Sequence, residues 1–152
     1  MSEALARAQK GLAFQDISML ASRCELGENA DPKFNWPESL VVQLKHLVKQ
    51  SSLLSVQQAD ESVVLFRIDI DLGARVVADG ESPETAWLAQ IEADYRVDYL
   101  ITDEALKSDQ EALDEFALHN ASFHLWPFWR EYVVSQCNRM NLPKISIPMR
   151  LP

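Results

Sequence analysis

The chain reads as an α+β protein: a four-stranded antiparallel meander sheet with a short and a long C-terminal helix packed on one face. Three observations predict this. Four runs between Leu12 and Tyr99 alternate apolar and polar residues with a period of two. The connections between these runs are mostly short and polar, which favours hairpins over helical crossovers. From Asp109 onward the apolar residues recur instead at steps of three and four, and helices gathered after a run of strands are the mark of α+β architecture. At 152 residues and 47% hydrophobic content, one folded domain spanning 1–152 is expected.

Residues 1–10 are polar and Ala-rich, and read as a flexible or helical tail. In Leu12 to Leu26 the alternation slips phase between Phe14 and Ile17, so the first strand is expected to carry a bulge near Gln15 and Asp16. The segment GENADPKFNWPES has loop composition, and Phe34 and Trp36 in it are apolar enough to be expected folded back on the domain. Leu40, Val42, Leu44, His46 and Val48 mark a second strand, and Ser51 to Glu61 a turn. Val64, Phe66, Ile68, Ile70 and Leu72 mark a third strand, with Gly73 at a bulge or bend. After the polar turn DGESPET the alternation is strictest: Trp87, Ala89, Ile91, Ala93, Tyr95, Val97 and Tyr99 share one face of a fourth strand.

An acidic stretch, Asp103 to Glu115, leads into the short helix, which Ser108 or Asp109 can cap. The long helix is the oiliest part of the chain. Trp126, Trp129, Val133, Cys137 and Met140 form one stripe, and Leu125, Phe128 and Tyr132 a second beside it. A face that wide calls for partners on more than one side, with each large side chain worth roughly 1.5–3 kcal/mol on burial. Pro127 would break a helix interior, so the helix is expected to begin there, with Pro127 in its first turn. Leu142 to Pro152 reads as an extended, proline-punctuated tail.

A net charge of -9 argues against nucleic acid or an anionic membrane as partner, since both repel the chain at long range. With no apolar leader at the N-terminus and no run near the ~18 apolar residues of a membrane span, a cytoplasmic protein is expected. In that compartment Cys24 and Cys137 are expected to be reduced core residues. No enzyme chemistry, cofactor or metal is indicated. His119 and His124, with Cys137 or Glu131, match no zinc spacing. Asp69 and Asp71 share a strand face that can hold a cation, but the plainer reading is a solvated face opposite Ile68 and Ile70. There is no G-x-S-x-G serine and no Gly-rich phosphate loop. Arg130 and Glu131 read equally as a surface pair or as a pair buried at an interface.

The run FHLWPFWREYVV at Phe123 to Val134, followed by RMNLPKISIP, resembles the signature of the SecB export chaperones and SecB-like proteins. Phe123, Trp126, Pro127, Phe128, Arg130, Glu131, Arg139, Leu142 and Pro143 carry the match. FQDIS at Phe14 to Ser18, NWP at Asn35 to Pro37 and ETAWL at Glu84 to Leu88 echo the family's first strand, following loop and fourth strand. The resemblance implies an ATP-independent holdase that keeps unfolded preproteins export-competent in hydrophobic grooves. It implies a homotetramer, a dimer of dimers, with the long helices between the dimers. Client-binding residues would be Leu12, Phe14, Leu40, Val42, Leu44, Phe123 and Trp126. The oligomer interface would hold Trp126, Trp129, Arg130, Glu131, Val133 and Cys137. A patch for the SecA motor would fall at Asp16, Leu20, Leu88 and Gln90, although Leu20 and Gln90 stand where carboxylates are expected. The chain also reaches Pro152 soon after the Leu-Pro exit, where export chaperones continue into another groove-lining helix, so a shorter or differently closed groove is expected. Both departures fit a divergent SecB-like chaperone dedicated to one partner, such as an antitoxin of a toxin-antitoxin system, at least as well as a general export factor.

Overall fold

The computed structural model describes residues 1–82, 84 and 86–148. Three elements of the expected meander run consecutively, β2 (Leu40–Gln58), β3 (Glu61–Ala78) and β4 (Trp87–Ile101), but β1 (Leu12–Leu26) adds to the free edge of β4, giving the order β1-β4-β3-β2. This is a Greek-key order, in which the first strand reaches the far edge through a long connection. Ladder bonds join opposite strand ends: Gly27 N to Leu88 O at 2.8 Å, Thr102 N to Gly11 O at 2.9 Å, and Asp79 N to Ser39 O at 3.0 Å. Neighbouring strands are therefore antiparallel. From Gly11 to Gly27 is 16 steps and from Leu88 to Thr102 is 14, so β1 carries two extra residues, as a bulged strand must. The Ile17 N–H, bonded by the Asp16 carboxylate at 2.9 Å, lies where the phase slip places the bulge.

Several boundaries differ from the sequence expectation. β2 continues through Ser51 to Gln58, and the turn shrinks to Ala59 and Asp60, with Ala59 left-handed at φ 53°. β3 continues through Gly73 to Ala78. Gly73 leaves room for Lys45, whose Cβ would stand 3.3 Å from a Cβ added there. Phe34 is not folded back: it is 81% exposed, with the Lys33 ammonium over its ring, while Trp36 is half-buried. Pro83 and Thr85 of the turn before β4, Thr85 also within the ETAWL match, and 149–152 of the expected tail lie outside the described residues.

The chain contacts group into two compact units, each drawing on all four strands, where length alone suggests one domain. The first unit holds Met1–Met19, Val48–Ile70 and Tyr95–Leu125. Of the two readings of residues 1–10, the helical one holds from residue 3: α1 (Glu3–Gly11) is capped by Ser2, whose side chain accepts from Leu5 N. Small residues let α1 sit close: Ala4, Ala8 and Gly11 are buried, and a Cβ on Gly11 would meet Leu106 Cδ1 at 2.4 Å. Arg7 pairs at 2.8 Å with Asp109, which also caps α2 (Gln110–His119) by accepting from Ala112 N. On the strands, Arg67 pairs with Asp98, and Arg96 and Gln50 hold Asp69. Asp69 is thus not on a solvated face; it is 6% exposed, and its bonds from Arg96 keep its carboxyl below the ordinary range despite burial.

The second unit holds Leu20–Leu47, Asp71–Asp94 and the chain from Trp126 on. Lys45 bridges Asp71 at 2.9 Å and Glu92 at 3.1 Å, and Arg75 donates twice to Gln43. Most of α3 (Ala121–Arg139) lies here. Pro127 does not open that helix; it sits in its interior, exposed, where water can take the carbonyl that a proline leaves unbonded. Ala121 and Leu125 extend the buried face N-terminal to it, which is why the helix starts early.

Candidate functional site

The first unit contains an open pocket of about 340 Å³, lined by Gln9, Leu12, Phe14, Tyr99, Phe116, Asn120 and His124. Tyr99 is the last inward position of the β4 alternation and forms the floor. Phe116 of α2 meets it edge-on, centroids 4.8 Å apart, and the Tyr99 hydroxyl lies 2.8 Å from His124 Nδ1. Burial pushes the Tyr99 hydroxyl up and the His124 imidazole down, so near neutral pH the phenol is protonated and the imidazole uncharged, and the ring tautomer sets which of the two donates. Phe14, 47% exposed, lies against both rings, 6.1 Å from Tyr99 and 5.7 Å from His124. At the rim, Gln9 Nε2 donates to Asn120 Oδ1 at 2.9 Å. An aromatic floor with amide groups at the rim can take an apolar side chain and bond the backbone that carries it.

The expected client residues divide between the units. Leu12 and Phe14 line this pocket, and Phe123 is 55% exposed in the same unit. Leu40, Val42 and Leu44 are half-buried on β2 in the second unit, where Leu44 lines a separate, mostly polar cleft of about 420 Å³ with Gln90, Lys45, Arg75 and Glu92. Trp126 is not available to a client: it is buried, and its indole N–H donates to Pro148 O at 2.6 Å. Of the positions expected to meet SecA, Asp16 and Leu20 are exposed, and Leu88 and Gln90 half-buried.

The expected oligomer interface needs correction. Trp126, Trp129, Val133 and Cys137 are buried inside the single chain, Trp129 with 0% exposure, so they form its own core and offer no surface to a partner. The stripe facing outward carries Phe128 and Val134, with Glu131 exposed and Arg130 half-buried, its Nε donating to Ile147 O. His119 lies 3.9 Å from Glu115, and among the described residues no group of three His, Cys, Asp or Glu could hold a metal. The cysteines are unpaired, Cys24 lying 3.3 Å from the Tyr132 hydroxyl. Among the described residues no helix is long and apolar enough to cross a membrane. Sequence reading missed Gln9, Tyr99, Phe116, Asn120 and His124 as pocket residues, although the place of Tyr99 at the end of the strictest alternation was a usable signal.

This four-stranded antiparallel sheet followed by C-terminal helices is a fold found in a SecB-like chaperone. In particular, the chain is similar over 99% of both lengths to the Mycobacterium tuberculosis SecB-like chaperone Rv1957, solved in complex with a ChAD peptide from the Rv1956 HigA1 antitoxin. The TM-score is 0.65 and the identity 19%. No protein-family model and no curated protein sequence matches the chain.

Proposed function

We propose that this protein is a SecB-like chaperone that holds an extended apolar segment of a dedicated protein client, such as an antitoxin, without nucleotide. The observation that carries the reading is the aromatic pocket of the first unit, open beside a half-exposed Phe14 on a SecB-like fold. Apolar burial is non-directional and suits a binder of unfolded chain, while the amide rim supplies backbone contacts. The antitoxin peptide bound by the structural neighbour favours one dedicated client over general export traffic. Leu20 and Gln90, uncharged where the SecA patch expects carboxylates, point the same way.

The reading includes self-assembly. β1 and β2 are the sheet's edge strands, with Met19, Leu20 and Leu47 exposed along them, and such edges favour pairing with another chain. Affinity capture from the source cell, with quantitative mass spectrometry, tests the client class. One stoichiometric partner supports a dedicated client, a broad set of preproteins supports an export holdase, and no partner contradicts both.

A further inference from the structure

The end of the second unit behaves like a bound peptide. α3 closes with Asn141 left-handed at φ 58° and Leu142 N bonded to Cys137 O at 2.9 Å, a Schellman-type stop that Pro143 prevents from continuing. The chain then turns back along the helix as an extended segment, 143–148. Ile145 and Ile147 are buried while Lys144, Ser146 and Pro148 are exposed, a period-two alternation in a segment that belongs to no strand among the described residues. Two α3 side chains grip its backbone in succession: Arg130 Nε donates to Ile147 O at 3.3 Å, and Trp126 Nε1 to Pro148 O at 2.6 Å. Neither bond depends on which side chains the segment carries. Beside it an open cleft of about 600 Å³, lined by Pro127, Glu131, Val134 and Asn138, leaves room for chain exchange.

We infer that this flank of α3 is a second seat for extended client chain with apolar residues at alternate positions, and that 143–148 fills it as an internal substitute which a client must displace. The inference rests on the chaperone reading above and adds a competitor built into the fold. A tethered segment competes at an effective concentration in the millimolar range, so the seat's apparent affinity is lowered by the fraction of time the segment occupies it.

The test uses a fluorescent peptide of sequence LPKISIP, read by anisotropy against the full chain. Unseating the segment with Ile145→Ser and Ile147→Ser together should tighten peptide binding by about tenfold or more, and adding Arg130→Ala should take most of that gain away. No gain in the double variant overturns the inference. Should that variant fail to fold, Ile145→Cys, oxidised onto Cys137 with diamide, pins the segment: peptide binding should fall on oxidation and return on reduction, and binding indifferent to redox state overturns it. Reduced, carboxymethylated lactalbumin serves as the unfolded client in parallel. If the wild-type chain ignores that polypeptide, general holdase binding fails and the dedicated-client reading is decided by the affinity capture above, whereas the peptide comparison decides whether the seat exists.

Discussion

Pro127→Ala separates two accounts of the long helix. Were Pro127 in the first helical turn, its missing N–H would cost nothing and alanine would bring no gain. The structure puts it at the seventh residue of α3, after Ala121. There, proline forfeits the bond to Phe123 O and crowds that carbonyl, an interior penalty of about 3 kcal/mol relative to alanine. Against this, alanine loosens the unfolded chain by roughly 0.4–1 kcal/mol. Pro127 is exposed, so little packing is lost. The net expectation is about 2 kcal/mol of stabilisation, or a Tm raised by roughly 4–8 °C for a chain of this size. Thermal and urea unfolding followed by circular dichroism at 222 nm reads it. An unchanged or lowered Tm with an unchanged urea slope would refute the continuous helix.

Two further predictions concern titratable groups. Arg96→Ala removes the paired bonds from the Asp69 carboxylate, leaving it only Gln50, and should lower the urea midpoint with an unchanged slope. Because Asp69 titrates below its ordinary value when folded, its contribution is complete above about pH 4 and is lost as pH falls through the folded value, so the wild type should show an acid-induced loss that the variant largely lacks. His124 is shifted the opposite way for its charge type: burial disfavours the imidazolium, so the folded state resists protonation and stability should fall as pH drops below about 6.5. His124→Gln should flatten that slope, with His46, also lowered by burial, accounting for any remainder; a slope unchanged in the variant would assign it elsewhere.

What was legible in the sequence follows from what each residue has to bury. β4 was readable because its odd-numbered residues from Ala89 to Tyr99 are all covered, which enforces strict alternation. The second half of β2 was not, because an edge strand can stay exposed and so tolerates Ser51, Ser52, Gln57 and Gln58, which look like a turn. α1 was unclear for a related reason: Ala4, Ala8 and Gly11 pack by being small and leave little apolar signal. The oiliness of α3 was plain, but a hydrophobic stripe does not say what covers it. Trp129 and Val133 turned out to meet their own chain, which moved the candidate interface to Phe128 and Val134. The place of β1 beside β4 depends on a long connection that carries no pairing signal. The pocket was half visible for the same reason: Leu12 and Phe14 could be read from β1, while Phe116 and His124 reach it only through the helices.

Photo-crosslinking from position 14 tests the central claim most directly. With benzoylphenylalanine in place of Phe14 and, separately, of Phe34, which is more exposed but lies outside the pocket lining, the protein is irradiated in its source cell, with its own client present. The account predicts a strong adduct from position 14 and little from 34. Equal yields, or none from position 14, would mean that the aromatic pocket is not where client chain is held.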